Sequence, residues 1–120
     1  MREILFRGKR TDNGEWVVSN SIMQTNYSGT FLWYKGCWGE AESVGEYTGL
    51  TDKKGNKIFE GDIVQVNAVA NAKIIYNDQK ACFVFDYGAN GRPLVVDLVE
   101  EHSIEVIGNI HDNPELLEEK

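Results

Sequence analysis

Proline, cysteine and histidine are scarce in this chain of 120 residues, with two of each. Each scarcity removes a class of protein. Two prolines leave no Pro-rich linker. Cys37 and Cys82 lie far apart and form no C-x-x-C pattern, so they read as free thiols rather than a redox motif. His102 and His111 are the only histidines, and no second ligand pair stands at zinc spacing, so no metal or other cofactor is expected. No apolar run approaches the roughly 18 residues that span a bilayer. Met1 to Arg7 lacks the apolar core and cleavage site of a signal peptide, so the expected location is the cytoplasm, where the match of Asn26-Tyr27-Ser28 to a glycosylation pattern carries no meaning.

What is present is ordinary globular material. Hydrophobic residues make up 42% of the chain, too many for a disordered protein and enough for one domain without a disulfide or metal. Twelve glycines point to many tight turns. The net charge is −7, and residues 97–120 account for it, with eight acidic residues against Lys120 alone. The start is basic, with Arg2, Arg7, Lys9 and Arg10 against Glu3.

Side-chain alternation reads as a succession of short strands. Ile4-Leu5-Phe6 and Trp16-Val17-Val18 flank Thr11-Asp12-Asn13-Gly14, and Asn-Gly is a strong hairpin signal because both turn residues tolerate positive φ. Thr30 to Tyr34 has strand composition, inside a segment that fits either a packed hairpin or a surface excursion. Lys57-Ile58-Phe59, Ile63 to Val66, Lys73 to Tyr76, Ala81 to Tyr87, Leu94 to Leu98 and Ile104 to Ile107 follow as strands, separated by turns. The Glu60-Gly61-Asp62 turn should use its Asp to accept nearby amides. In Ala81 to Tyr87, residues 81, 83, 85 and 87 share one face. Asn113 as cap and Pro114 at the first position predict a short C-terminal helix, with Leu116 and Leu117 packing back. The expected fold is mainly β, with a small barrel or sandwich from residue 46 onward.

Reactive chemistry finds little support. Cys37 beside Trp33, Tyr34 and Trp38, with a distant His102 or His111, fits a buried thiol better than a nucleophile. No glycine cluster opens a helix to cradle phosphate. The aromatic cluster Tyr27, Phe31, Trp33, Tyr34 and Trp38 has two readings, core filler or protein interface. Nucleic acid is disfavoured, because between residues 11 and 52 the only base is Lys35, while Glu40, Glu42 and Glu46 are near.

Three blocks carry a family resemblance. Met1-Arg2-Glu3-Ile4 with Phe6-Arg7 opens the chain. Tyr47-Thr48-Gly49-Leu50, Asp52-Lys53, Gly55, Ile58 and Glu60-Gly61-Asp62-Ile63-Val64 form the middle. Val106 to Ile110 with Asn113-Pro114-Glu115-Leu116 closes it. Together they resemble the YopX family, small proteins encoded by bacterial phages and prophages, with residues 19–45 outside the matching blocks. The resemblance implies one YopX-like domain over 1–120, made of an N-terminal β-rich subdomain (1–45) and an SH3-like barrel with the short helix (46–120). It implies a structural role for Tyr47, Gly49, Leu50, Gly55, Glu60, Gly61, Asp62, Gly108, Asn109, Asn113 and Pro114. It also implies a phage or prophage origin and the host cytoplasm, but no catalytic residue.

The functional expectation is a phage accessory protein, not an enzyme, that binds a protein partner or itself. Arg2, Arg7, Trp33, Tyr34 and Trp38 are the candidate interface. In a homo-oligomer the basic N-terminal strand of one copy would meet the acidic C-terminal region of another, unless both ends pair within one chain. The alternatives are an acidic decoy of host DNA-binding proteins, motivated by the charge of residues 97–120, and a weak nucleic-acid-binding module.

Overall fold

The computed structural model describes residues 3–27, 29–68, 70–79, 81–88, 94–95 and 100–117. The chain is mainly β and forms two antiparallel sheets. It divides into two compact units, Met1–Tyr47 and Thr48–Lys120.

The first unit contains β1 (Phe6–Arg10), β2 (Trp16–Ser19), β3 (Ile22–Thr25), β4 (Gly29–Tyr34) and most of β5 (Cys37–Thr51), in the order β2-β1-β5-β4-β3. The expected first hairpin forms, with Phe6 opposite Ser19 and Lys9 opposite Trp16. Its turn is fastened by Gly14 N–H to Arg10 O (2.9 Å) and by Glu15 N–H to the Asn13 side chain (2.9 Å). Its first strand begins at Phe6 rather than Ile4, although Leu5 still accepts the amide of Tyr47 at 2.9 Å. Most described residues between 19 and 46 are strand, in β3, β4 and the first part of β5. Lys35 and Gly36, at φ 50° and 85°, make the two-residue turn between β4 and β5, the left-handed pair that suits a tight hairpin.

Every neighbouring pair in that order is antiparallel, so β2 and β3 run in the same direction, with only Asn20 and Ser21 between them. The two edges of the sheet are therefore halves of one bent strand, which curls the sheet around its core. Val17, Leu32 and Ala41 are buried there, with Phe6, Ile22, Tyr34 and Val44 packed against them. Gly8 lies under this cluster. A Cβ on it would sit 2.9 Å from both Ala41 Cβ and Leu32 Cδ1, so no side chain fits.

The second unit contains the end of β5, β6 (Lys57–Phe59) paired with β5, β7 (Asp62–Val66), β8 (Ala70–Asn77), β9 (Cys82–Asp86), β10 (Leu94–Val95) and β11 (Ile104–Asn109). Five of them make a sheet in the order β10-β9-β8-β7-β11. Its core is Ile58, Val64, Val66, Ala72, Ile74, Phe83, Phe85 and Ile104, and each of these side chains larger than alanine contributes about 1.5–3 kcal/mol by burial. Phe83 and Phe85 share a face as their alternation predicts, but Val84 between them is also fully buried. Both faces of β9 are covered, which alternation alone does not distinguish from one.

One expectation for this unit needs correction. The closed SH3-like barrel does not form among the described residues, because β10 and β11 remain the two edges of an open sheet. The expected short C-terminal helix forms as one 3-10 turn, Pro114–Leu117, closed by Leu116 N–H to Asn113 O at 3.1 Å, with its two leucines half-buried. Of the expected strand Leu94 to Leu98, residues 96–98 lie outside the described residues, as do most of the turn after Gly88 and Asp97, Glu118, Glu119 and Lys120.

Candidate functional site

The alternation of each strand assigns faces in the first unit. Gly8, Val17, Leu32 and Ala41 face the core, so their neighbours face away from it. That outward face carries Arg7 and Lys9 on β1, Trp16 and Val18 on β2, Met23 on β3, Phe31 and Trp33 on β4, and Trp38, Glu40 and Glu42 on β5. All three tryptophans of the chain lie on it.

Trp33 and Trp38 are direct cross-strand partners next to the β4–β5 turn, with ring centroids 5.3 Å apart in an edge-to-face arrangement. Each remains about two-fifths exposed, at 43% and 42%. Met23 is opposite Phe31, and Phe31 is opposite Glu40, so these side chains adjoin the tryptophan pair on the same face. Met23 and Val18 are also exposed. Trp16, half-buried, lies under the Arg7 guanidinium at 5.0 Å and the Lys9 ammonium at 5.8 Å. Glu40 accepts the Thr11 hydroxyl at 2.9 Å.

The structure therefore splits the expected interface. Trp33 and Trp38 come together, and Arg7 lies on the same face but against Trp16. Tyr34 points the other way, packs against the buried cluster and carries the Lys35 ammonium 5.3 Å from its ring. Arg2 lies outside the described residues. Tyr27, almost wholly exposed, stands apart from the buried cluster. Met23 and Val18 were missed by sequence reading because an isolated apolar residue on a short strand does not declare its face. Arg10 is engaged by Asp12 through two hydrogen bonds of 2.6 and 3.0 Å, which removes it as a simple phosphate contact.

The motif residues of the second unit do structural work. Asp62 is buried and accepts the Phe59 amide at 2.8 Å, as the turn reading expected. Gly49, Gly55 and Gly61 hold left-handed backbone, and Gly61 donates its amide to Ile74 O on β8 and accepts the amide of Ile110, just after β11, each at 2.8 Å. Leu50 packs on the core and Glu60 is half-buried in its turn, while Tyr47, the last residue of the first unit, is buried. Asn109 accepts the amides of His111 and Asp112 through its side chain at 3.0 and 2.9 Å, and Asn113 donates its amide to Asn109 O at 2.8 Å. A Cβ on Gly108 would lie 2.6 Å from Asn113 Oδ1. Gly108, Asn109, Asn113 and Pro114 thus form a compact chain reversal rather than a ligand cradle. Asp52 is the residue the motif quoted without a role. It is buried and accepts the amides of Lys54, Asn56 and Val106 at 3.0, 2.8 and 3.0 Å. Burial would raise its pKa, but these amides outweigh burial and hold it below the ordinary aspartate value.

Among the described residues, no group of three or more His, Cys, Asp or Glu is arranged to hold a metal, and no helix is long and apolar enough to cross a membrane. A shallow crevice beside the first core, too tight to enclose a water molecule, is lined by Arg10, Val17, Leu32, Tyr34, Cys37 and Gly39. Its lining offers Cys37 neither a histidine nor a carboxylate as base. Of the acidic C-terminal residues, Glu105 is paired with Lys53 and Lys54 at 3.5 and 3.7 Å.

These features define an all-β protein of two antiparallel sheets whose most distinctive surface is a tryptophan-bearing sheet face. The chain belongs to the YopX family, whose match, described as YopX protein, covers residues 5–118. That match includes residues 19–45, the segment the quoted motifs left out. Among solved structures the chain is similar to protein EF1440 from Enterococcus faecalis, at 22% identity and a TM-score of 0.60, over 98% of this chain and 100% of that one. At that identity the likeness concerns the fold alone. No curated protein matches.

Proposed function

We propose that this chain is a non-catalytic phage or prophage accessory protein of the bacterial cytoplasm that acts by binding protein through the outward face of its N-terminal sheet. The observation that carries the reading is the exposed Trp33–Trp38 pair, turned away from the core of its own unit. Tryptophan is costly to leave in water and is enriched where protein interfaces concentrate their energy. Met23 and Phe31 beside the pair extend the apolar area. Glu40 and Glu42 offset Arg7 and Lys9 on the same face, which leaves it without the net positive charge that a nucleic acid needs. The decoy reading draws less support, since Glu105 is already engaged by two lysines.

The test is affinity capture from a bacterial host with the full chain and with the Trp33→Ala/Trp38→Ala variant, circular dichroism confirming that both are folded. A protein retained by the first and lost by the second supports the reading. Capture that is unchanged by the double substitution overturns it.

A further inference from the structure

We infer that the turn of residues 52–56 is a built-in cap on the outer edge of β11, and that the uncapped edge pairs strand to strand with β11 of a second copy of this chain. The inference is independent of the tryptophan face.

The backbone of β11 sets the geometry. Among the described residues β11 stands at the end of its sheet and pairs with β7, with Ile104 opposite Val66 and Val106 opposite Val64. Alternate residues of a strand direct their N–H and C=O groups to the same edge, so Ile104 and Val106 share one. That edge is the outer one. Ile104 O accepts the Lys53 amide at 2.9 Å, and the Val106 amide donates to Asp52 Oδ2 at 3.0 Å. An acceptor and a donor two residues apart are the pattern that a neighbouring strand engages. The turn thus stands in for a strand, with a carboxylate in place of one main-chain carbonyl.

The cap is held by side chains rather than by a ladder. Asp52 Oδ1 accepts the amides of Lys54 and Asn56 at 3.0 and 2.8 Å and shapes the turn, while Oδ2 reaches β11. Lys53 and Lys54 flank Glu105 at 3.5 and 3.7 Å. Releasing these contacts frees the edge without unpairing β11 from β7.

The second copy follows from the edge itself. Two antiparallel strands exchange N–H and C=O groups, so an edge related to its own copy by a two-fold axis supplies every donor and acceptor the pairing needs. The strand Ile-Glu-Val-Ile-Gly-Asn has neither the proline nor the lysine that commonly keeps an edge from pairing. Its irregular register falls between Val106 and Gly108, past the capped pair. Protection of Ile104 and Val106 therefore rests on the turn.

The experiment is size-exclusion chromatography with light scattering at neutral pH over a range of concentrations. It compares the full chain with Asp52→Asn, Lys53→Pro and Ile74→Val, circular dichroism confirming that each is folded. Asp52→Asn keeps one oxygen for the turn and sets an amide nitrogen, which cannot accept, against the Val106 N–H. Lys53→Pro removes the donor to Ile104 O at the second position of the turn closed by Gly55 N–H to Asp52 O, where proline is favoured. Ile74→Val weakens the same sheet from its core and leaves the edge capped. At high concentration the mass of Asp52→Asn should be about twice that of the unaltered chain, with a smaller rise for Lys53→Pro and none for Ile74→Val. The Val106 amide of Asp52→Asn should exchange its hydrogen quickly in the dilute chain and become protected once the mass has risen. An unchanged mass for both edge variants overturns the inference. So does an equal rise for Ile74→Val, or a rise that leaves the Val106 amide unprotected. If Asp52→Asn does not fold, Lys53→Pro decides alone, a rise in mass supporting the cap and an unchanged mass overturning it.

Discussion

The carboxylate of Asp52 accepts the main-chain amide of Val106 at 3.0 Å, joining two points 54 residues apart. The same side chain holds the turn formed by residues 52–56, so one buried acid fastens that turn to β11. Lys53 N–H adds a main-chain bond to Ile104 O at 2.9 Å. The edge of β11 is thereby covered, which is one of the ways proteins keep sheet edges from pairing with other chains.

Replacing Asp52 with alanine should therefore cost about 3 kcal/mol, since buried amides lose their acceptor. Denaturant unfolding followed by circular dichroism would measure it. The acid-side behaviour follows from the depressed pKa. The contribution of Asp52 is complete above the ordinary aspartate pKa of about 3.9 and is lost as pH falls through the lower folded value. Melting temperature should fall as pH drops below about 4, and Asp52→Asn should flatten that dependence.

Glu105 provides the contrast. It bridges Lys53 and Lys54 at the surface, where ion pairs are screened by water and salt. Glu105→Ala should cost less than about 1 kcal/mol in the same denaturation experiment. A loss equal to that of Asp52→Ala would show that the surface pair matters more than its exposure implies.

Gly108 and Asn113 should be energetically coupled. The Asn113 side chain occupies the space a Cβ on Gly108 would need. Gly108→Ala should destabilise by about 1–3 kcal/mol through overpacking. Asn113→Ala removes the obstructing amide, so the double variant should lose less than the sum of the two single ones. A double-mutant cycle from denaturant curves measures the difference.

Trp38→Ala should separate stability from binding. Its indole is exposed on one side and touches Trp33 on the other. Stability should change by about 1 kcal/mol or less, of the order of one aromatic pair. Leu32→Ala in the core of the same sheet should cost about 2–5 kcal/mol. Thermal unfolding distinguishes them, while only the tryptophan variant should lose binding in a folded state.

Much of this architecture was legible in the sequence. The first hairpin was written in Asn13-Gly14, and the strands β6 to β9 in their alternation and turns. Asp62 was readable because an acid at a turn beside Gly61 has an obvious amide to accept. What was not legible depends on long-range pairing. Asp52 meets Val106 only because β11 returns beside the turn. The joining of β2 and β3 into one bent strand needs the order of five strands, which no local pattern contains. The open sheet in place of a barrel has the same origin: short alternating strands read alike whether or not their edges meet. The division of the aromatic cluster, with Trp33 and Trp38 outward and Tyr34 inward, follows from the period of two once Leu32 is known to be buried. Composition could not say which face of β4 that was.

The central claim is that Trp33 and Trp38 form an exposed surface that becomes covered on binding. Acrylamide quenching of the Trp16→Phe variant, which leaves only these two indoles, tests it most directly. The account predicts ready quenching and red-shifted emission in the dilute free chain, then shielding and a blue shift as the bound state forms. Emission shielded at every dilution, or still fully quenched in the bound state, would contradict it.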